Sequence, residues 1–228
     1  CLPGETAEVD LNAVGGGVVK LNENEFLLTT GTPVKGHVTH KINKLAQDQN
    51  SLWGKILKLK FIENKLEVEI FSKGLRNPQG IAKLGRDIIA VEHGPRGGDE
   101  INIIVQGGNY GWPEQSFGSE YDLSDIEKSD GSLKHHNLPL FSFNPAIGIS
   151  YIGECPTSYS EYYAPYNCLS ISSMRGNSIF FIVYSNQKVF FTERMNFNSR
   201  IRKFFVSGDN LVGVIDFEGL IVGKFTKL

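Results

Sequence analysis

Short strand-like segments, each ended by a turn, follow one another along almost the whole chain. They recur about every ten residues, and no segment keeps a helical period of apolar residues for three turns. Residues 54–61 alternate apolar and charged side chains, which is typical of a half-buried strand, and a polar turn at 22–25 joins residues 18–21 and 26–30 in a predicted hairpin. The further predicted strands are residues 66–71, 88–91, 101–105, 178–184, 188–192, 201–206, 211–215 and 220–225. This pattern predicts an all-β architecture, which is a sandwich, a barrel or a propeller.

Two longer polar stretches interrupt the strand pattern. Residues 114–137 are rich in Ser, Asp, Glu and Lys, and residues 153–169 are rich in Tyr, Pro and Ser. Both are predicted to be loops between strands, with a helical turn at 123–127 in the first of them. Neither marks a domain boundary, so we expect one domain over residues 1–228.

The charge and hydropathy of the chain argue against two classes of protein. The net charge of its 228 residues is −2, and Lys and Arg are scattered along the sequence, so a nucleic-acid-binding protein is not expected. No apolar run approaches the roughly 18–20 residues that cross a bilayer, so no membrane span is expected either.

The three cysteines leave two questions open. Cys155 and Cys168 lie within the loop at 153–169, where a disulfide would suit an oxidising compartment and two free thiols are the alternative. Cys1 stands first in the sequence, which fits a removed leader, an internal start or the processed N-terminus of a bacterial lipoprotein. Metal binding by cysteine is not expected, because the sequence holds no closely spaced Cys/His cluster.

A turn at residues 74–80, Gly-Leu-Arg-Asn-Pro-Gln-Gly, carries polar residues suited to a flat anionic ligand. Arg76 offers a planar fork for a carboxylate, and Asn77 and Gln79 offer amide donors and acceptors. Pro78 is expected to end the preceding strand, because it has no backbone N–H. The alternative is a turn in which Asn77 and Gln79 satisfy local backbone groups.

Two further turns, at residues 93–102 and 109–113, are suited to a hard cation. Successive carbonyl groups at Gly94 and Pro95 can face such an ion, since Ca²⁺ accepts oxygen ligands readily. Asp99 is expected to accept backbone N–H groups within its own turn.

Arg200 and Arg202 enter a predicted strand two positions apart. Residues i and i+2 of a strand point to the same face, so the two guanidinium groups are expected to converge. A converging pair usually binds an anion, and a solvated strand face is the alternative.

Taken in order and at these spacings, the three turns resemble the soluble glucose/sorbosone dehydrogenase family. Members of this family are six-bladed β-propellers with four-stranded antiparallel blades, and they oxidise sugars with pyrroloquinoline quinone (PQQ) and calcium. The resemblance covers nearly the whole chain but only the later part of the family, so it implies about four blades without the N-terminal ones. It implies a smaller ring, association with another copy or chain, or a shortened form, and a periplasmic or extracellular location.

The resemblance also implies ligands for both cofactors. The carbonyl groups of Gly94 and Pro95 would bind the calcium that contacts PQQ, and Glu100 and Tyr110 lie where some relatives hold a second, structural calcium. Arg175, in the segment Met-Arg-Gly, stands where relatives place another basic residue. The residues implied to contact PQQ are Arg76, Asn77, Gln79, Arg175, Arg200 and Arg202.

One catalytic residue of the family is missing. The general base is a histidine just before a Gly-Gly pair, and Ala13 stands at that position, while Gly17 replaces the arginine that usually follows the glycines. A positioned base is worth about 10²–10⁴-fold in rate. His37 and His40 are candidate substitutes, whereas His135 and His136 are expected at the surface.

These implications predict an oxidoreductase that moves hydride from an aldose or a related alcohol to the quinone of PQQ. The sugar and the electron acceptor are left open. The alternative, favoured by Ala13 and by the missing blades, is a non-catalytic propeller that binds a sugar, an anion or a protein partner.

Overall fold

The polypeptide is built almost entirely of short antiparallel strands. The computed structural model describes residues 13–33, 41–63, 65–124, 126, 136–216 and 219–226. Contacts divide the chain into two compact units, residues 1–83 with 87–146 and residues 84–86 with 147–228.

The first unit contains two four-stranded sheets, except for Leu84, which is assigned to the second unit. In both sheets, strands that follow one another in the chain are neighbours. The first sheet consists of β1 (Gly15–Lys20), β2 (Glu25–Thr30), β3 (Lys55–Ile62) and β4 (Lys65–Lys73), paired antiparallel. The second consists of β5 (Pro78–Leu84), β6 (Asp87–Glu92), β7 (Asp99–Ile103) and β8 (Phe141–Phe143). A 3-10 helix, Lys41–Ala46, lies between β2 and β3 in the chain.

The second unit has the same up-and-down order. Its first sheet consists of β9 (Ile149–Glu154), β10 (Asn167–Ser173), β11 (Ser178–Ser185) and β12 (Lys188–Asn196), and the short helix α1 (Thr157–Tyr162) connects β9 to β10. The other sheet has three strands in the described part of the chain, β13 (Ile201–Ser207), β14 (Asn210–Ile215) and β15 (Gly219–Lys224). Sheets of consecutive antiparallel strands are the blades of a β-propeller, so the predicted fold class is confirmed.

Four strands and the helix α1 were not predicted from the sequence. Pro78 begins β5 instead of ending a strand. Proline has no backbone N–H, and at the first position of a strand this missing donor costs no hydrogen bond to the neighbouring strand. The loop predicted at 153–169 is wrong in its extent, because it contains the end of β9, the helix α1 and the start of β10. The remaining strand that was missed, β8, has only three residues.

Each unit has its own apolar core. In the first unit the buried core residues are Leu27, Ile56, Leu75, Ile81, Ala90, Ile104 and Tyr110. In the second unit they are Cys155, Ile179, Phe181, Ile201, Phe204 and Leu211. Cys155 and Cys168 are joined by a disulfide with their Cα atoms 5.7 Å apart, which answers the first of the cysteine questions.

Lys55 departs from the half-buried pattern of β3, because its side chain is fully buried. Its ammonium group donates hydrogen bonds to the carbonyl oxygens of Leu45 at 2.7 Å, Ala46 at 2.9 Å and Trp53 at 2.8 Å. Burial lowers the pKa of Lys55 to about 8. The lysine therefore links β3 to the C-terminal end of the 3-10 helix.

No helix in the part of the chain that the structure describes is long and apolar enough to cross a membrane.

Candidate functional site

The turn between β4 and β5 holds Arg76 in a fixed orientation. Its backbone N–H donates to Oε2 of Glu92 at 2.7 Å, and its Nη1 donates to the carbonyl oxygen of His93 at 3.2 Å. Its Nη2 donates to the hydroxyl of Tyr121 at 3.1 Å, and Cζ lies 5.4 Å from the ring centroid of Trp112. These contacts fix both the backbone and the guanidinium group of Arg76.

Asn77 and Gln79 contact each other in the same turn. Oδ1 of the buried Asn77 accepts hydrogen bonds from Nε2 of Gln79 at 2.7 Å and from the backbone N–H of Gly15 at 3.2 Å. The side-chain oxygen of Asn77 thus links the side chain of Gln79 to the start of β1.

A cleft in the first unit brings together five residues that sequence analysis singled out. Arg76 lies in its wall, with the calcium candidates Gly94, Pro95, Glu100 and Tyr110. The cleft is also lined by Glu92, His93, Gly98, Trp112, Gln115 and Ser116.

The loop from His93 to Asp99 is a tight turn held by an internal carboxylate. Oδ1 of Asp99, which is almost fully buried, accepts the backbone N–H of Gly94 at 3.1 Å, as predicted. A Cβ atom at Gly94 would collide with the carbonyl oxygens of Gly97 and Gly98, so the close approach of the backbone requires glycine there. His93 places Nδ1 3.8 Å from Oδ1 of Asp99, and burial lowers the pKa of His93.

Two buried carboxyl groups that line this cleft contact one amide. Nδ2 of the fully buried Asn102 donates to Oε1 of Glu92 at 3.0 Å and to Oε2 of Glu100 at 3.1 Å. Burial raises the pKa of Glu92 to about 7, and burial followed by repulsion from Glu92 raises the pKa of Glu100 well above its usual range. Oδ1 of Asn102 has no hydrogen-bond partner among the described residues.

We expect the metal-free protein to lose stability between pH 4.5 and 7. The folded state holds a proton on Glu92 that the unfolded state releases, so the contribution of this group is fully present below pH 4.5 and is lost as the pH rises through about 7. Urea unfolding in the presence of a chelator, repeated across this range, measures the loss.

Glu92→Gln is expected to flatten this pH dependence. Glu67→Gln, at an exposed position of β4, is the matched control and should leave the slope unchanged. An unchanged slope in Glu92→Gln would show that Glu92 does not carry the effect.

The hydroxyl of Tyr110 is engaged with the backbone of its own loop. It donates to the carbonyl oxygen of Ile103 at 2.7 Å and accepts the N–H of Val105 at 2.9 Å, and burial raises its pKa to about 12. Any contribution of Tyr110 to a cation site would therefore come from its backbone carbonyl. Among the described residues, no group of three or more His, Cys, Asp and Glu side chains is arranged to hold a metal ion.

Ala13 lies beside the Arg76 turn, at the position where the resemblance implies a base. A Cβ atom added at Gly31 would collide with the carbonyl oxygen of Ala13 and would lie 2.9 Å from that of Arg76, and the Ala13 side chain is buried. The candidate substitutes His37 and His40 lie outside the described residues, as does His135.

The surface position predicted for His136 is wrong. Its side chain is only 9% exposed, because Nδ1 lies 3.1 Å from Oε1 of Gln115 and Nε2 lies 3.3 Å from Oε2 of Glu114.

In the second unit, Arg200 and Arg202 converge as predicted, and they converge on Asp216. Nε and Nη2 of Arg202 donate to Oδ1 and Oδ2 of this carboxylate at 2.6 and 2.9 Å, and Nε of Arg200 donates to Oδ2 at 3.1 Å. Nη2 of Arg200 also lies 3.7 Å from the sulfur of Met174, which precedes the exposed Arg175 in the turn between β10 and β11.

Sequence reasoning missed the acidic partners of the predicted basic residues. Glu92 ends the apolar run at 88–91 and directly precedes His93, so its position next to a candidate loop was a usable signal. Asp216 lies 14 residues after Arg202, and only the pairing of Ile201 with Ile215 brings the two together. The register of this strand pair cannot be inferred from one sequence.

The family model of glucose/sorbosone dehydrogenases matches residues 5–219. The aldose sugar dehydrogenase YliI of Escherichia coli K12 is 42% identical over 101 residues, which is 39% of this chain and 27% of that protein. Quinoprotein glucose dehydrogenase B of Acinetobacter calcoaceticus is 39% identical over 77 residues, 29% of this chain and 16% of that protein. The matches thus span less than a third of the length of these curated relatives.

Among solved structures, the soluble aldose sugar dehydrogenase of Escherichia coli in its apo form superposes with a TM-score of 0.77 and 25% identity. The superposition covers 98% of this chain and 67% of that chain.

Proposed function

Because the chain belongs to the glucose/sorbosone dehydrogenase family, we propose that it binds PQQ and calcium and oxidises an aldose sugar or a related alcohol. Two relatives named as an aldose sugar dehydrogenase and a quinoprotein glucose dehydrogenase support the sugar and the quinone. The observation that carries the proposal is that Arg76, the turn at Gly94 and Pro95, and the buried Glu92 and Glu100 line one cleft.

The residues at the proposed PQQ site fit a planar tricarboxylate. Two contacts fix the guanidinium of Arg76, and a guanidinium has five N–H donors, so donors remain for a carboxylate. The guanidinium group of Arg76 also lies over the ring of Trp112, and this cation–π contact further restrains it. The residues proposed to contact PQQ are Arg76, Asn77, Gln79, Arg175, Arg200 and Arg202.

The donor set of the cleft also fits calcium. The carbonyl groups of Gly94 and Pro95 are hard oxygen ligands in a turn fixed by Asp99, and Glu100 with the carbonyl of Tyr110 would hold a second ion. The negative charge of ionised Glu92 and Glu100 attracts a cation, and a bound cation would lower both raised pKa values. When bound, PQQ supplies a two-electron acceptor and calcium supplies polarisation of its oxygen atoms.

The residues of the chain orient the proposed cofactors and supply charged groups to the site, but none is assigned as the base that accepts the proton of the sugar. The methyl group of Ala13 cannot accept the hydroxyl proton of a sugar, so proton removal is assigned to another group or to solvent. Without a positioned base we expect turnover reduced by about 10²–10⁴-fold relative to a relative that has one.

We place the protein in the periplasm or outside the cell. The disulfide between Cys155 and Cys168 supports this location, because such bonds persist in oxidising compartments.

Arg76→Ala is expected to weaken PQQ binding by about 10- to 100-fold, because it removes hydrogen bonds from a charged donor. Spectroscopic titration with PQQ in the presence of calcium measures the affinity, and an aldose-dependent dye-reduction assay measures turnover. Arg86→Ala is the matched control, since Arg86 is an exposed arginine in the turn between β5 and β6. Absence of PQQ binding by the unaltered chain would refute the proposal.

The alternative function is a non-catalytic propeller that binds a sugar, an anion or a protein partner. The buried alanine beside Arg76, where the family has its base, favours it. Tight PQQ binding without aldose-dependent dye reduction would support this alternative, whereas turnover that disappears in Arg76→Ala would support the enzyme.

A further inference from the structure

Asp216 is the centre of the basic cluster in the second unit. It follows β14 directly, its side chain is only 9% exposed, and it accepts three hydrogen bonds from the guanidinium groups of Arg200 and Arg202. The backbone N–H of Asp216 donates to the carbonyl oxygen of Arg200 at 3.0 Å, so the carboxylate and the arginine are also linked through the main chain.

The two arginines are exposed enough to contact a ligand, and hydrogen bonds to Asp216 restrain both of them. Their side chains are 52% and 53% exposed, and an arginine on an open strand face would normally sample many rotamers. Nε of Arg200 and Nε of Arg202 both donate to the carboxylate of Asp216. Nη1 of each arginine makes no hydrogen bond within the described residues. Hydrogen bonds from Arg202 and then Arg200 lower the pKa of Asp216, so the carboxylate stays ionised near neutral pH.

We propose that Asp216 is a positioning residue that orients Arg200 and Arg202 to bind carboxylate groups of PQQ. The inference rests on the proposed function and assigns Asp216 no contact with the cofactor. Two guanidinium groups and one carboxylate leave a net charge of +1, which still attracts an anion. Fixing the arginines beforehand reduces the conformational entropy that binding would otherwise cost.

Positioning and simple electrostatics predict opposite results when the negative charge is removed. If Asp216 acted only through its charge, a neutral residue would leave the cluster more positive and PQQ would bind more tightly. If Asp216 orients the arginines, the neutral residue releases them and PQQ binds more weakly. The direction of the change in affinity therefore separates the two roles.

Asp216→Asn is expected to weaken PQQ binding by about tenfold in a spectroscopic titration of the full chain with calcium present. The amide has nearly the same shape, but its NH₂ group faces an arginine donor and cannot accept from it. Asp216→Glu retains the carboxylate and should keep more of the affinity than Asp216→Asn. Glu154→Gln removes one negative charge from an exposed position of β9 and should bind PQQ like the unaltered chain.

The outcomes distinguish this inference from the proposed function. Absence of PQQ binding by the unaltered chain refutes both. Binding by the unaltered chain, with equal or tighter binding by folded Asp216→Asn, overturns the positioning role and leaves the proposed function standing. Weaker binding by Asp216→Asn, partial recovery in Asp216→Glu and no change in Glu154→Gln support it.

Discussion

Removing the disulfide through the double substitution Cys155→Ala and Cys168→Ala is expected to lower the free energy of unfolding of the second unit by about 3 kcal/mol. The bond closes a loop across 13 residues of sequence separation, so its loss restores chain entropy to the unfolded state. Cys155 also lies in the core with Phe181 and Phe204, so the substitution removes buried contacts as well. Urea unfolding followed by tyrosine absorbance measures the effect, since six of the eight tyrosines lie in residues 147–228.

Cys1→Ala provides the control for the disulfide experiment, because it removes the third cysteine and leaves the bond intact. This variant should unfold like the unaltered chain, and adding a reductant should reproduce most of the effect of the double variant. Equal unfolding midpoints for the double variant and the unaltered chain would contradict a stabilising role of the disulfide.

Lys55→Met is expected to lower the free energy of unfolding of the first unit by about 2 kcal/mol. Methionine preserves the volume of the side chain, but the hydrogen bonds to the carbonyl oxygens of Leu45, Ala46 and Trp53 are lost. The loss is limited because Leu45 and Ala46 keep other backbone partners and because a buried charge is removed along with its desolvation cost. Tryptophan fluorescence during urea unfolding reports on this unit, since both tryptophans lie in it.

Lys60→Met on the same strand is the matched control for Lys55. Lys60 is exposed, so its substitution should change the free energy of unfolding by less than about 0.5 kcal/mol. An effect of equal size at both positions would show that the buried hydrogen bonds of Lys55 do not stabilise the unit.

The strands that sequence analysis predicted correctly are those with a clear local signal. The hairpin of β1 and β2 combines apolar residues with a polar turn, and β3 and β4 alternate with period two, so local preference and final structure agree. The strands β9 and β10 were missed because serines interrupt their apolar pattern. These serines are buried in the structure, where Ser150 and Ser172 hydrogen-bond to each other at 2.9 Å. Only the tertiary pairing supplies that partner.

Candidate site residues could be predicted where they lie together in one turn of the sequence. They could not be predicted where residues distant in the sequence are brought into contact by the fold. Arg76, Gly94 and Pro95 were singled out from their turns together with the family resemblance, and the first unit brings them to one cleft. The pairing of Glu92 with Glu100 through the amide of Asn102, and the carboxylate of Asp216, were not found. The roles of these residues depend on burial and on strand register, and a short sequence motif predicts neither of the two.

The most direct measurement of the central claim is a crystal structure of the chain with PQQ and calcium bound. We expect PQQ at the cleft of the first unit, with a carboxylate that accepts hydrogen bonds from Arg76, and calcium on the carbonyl oxygens of Gly94 and Pro95. PQQ bound away from Arg76, or calcium bound away from Gly94 and Pro95, would contradict the proposed function.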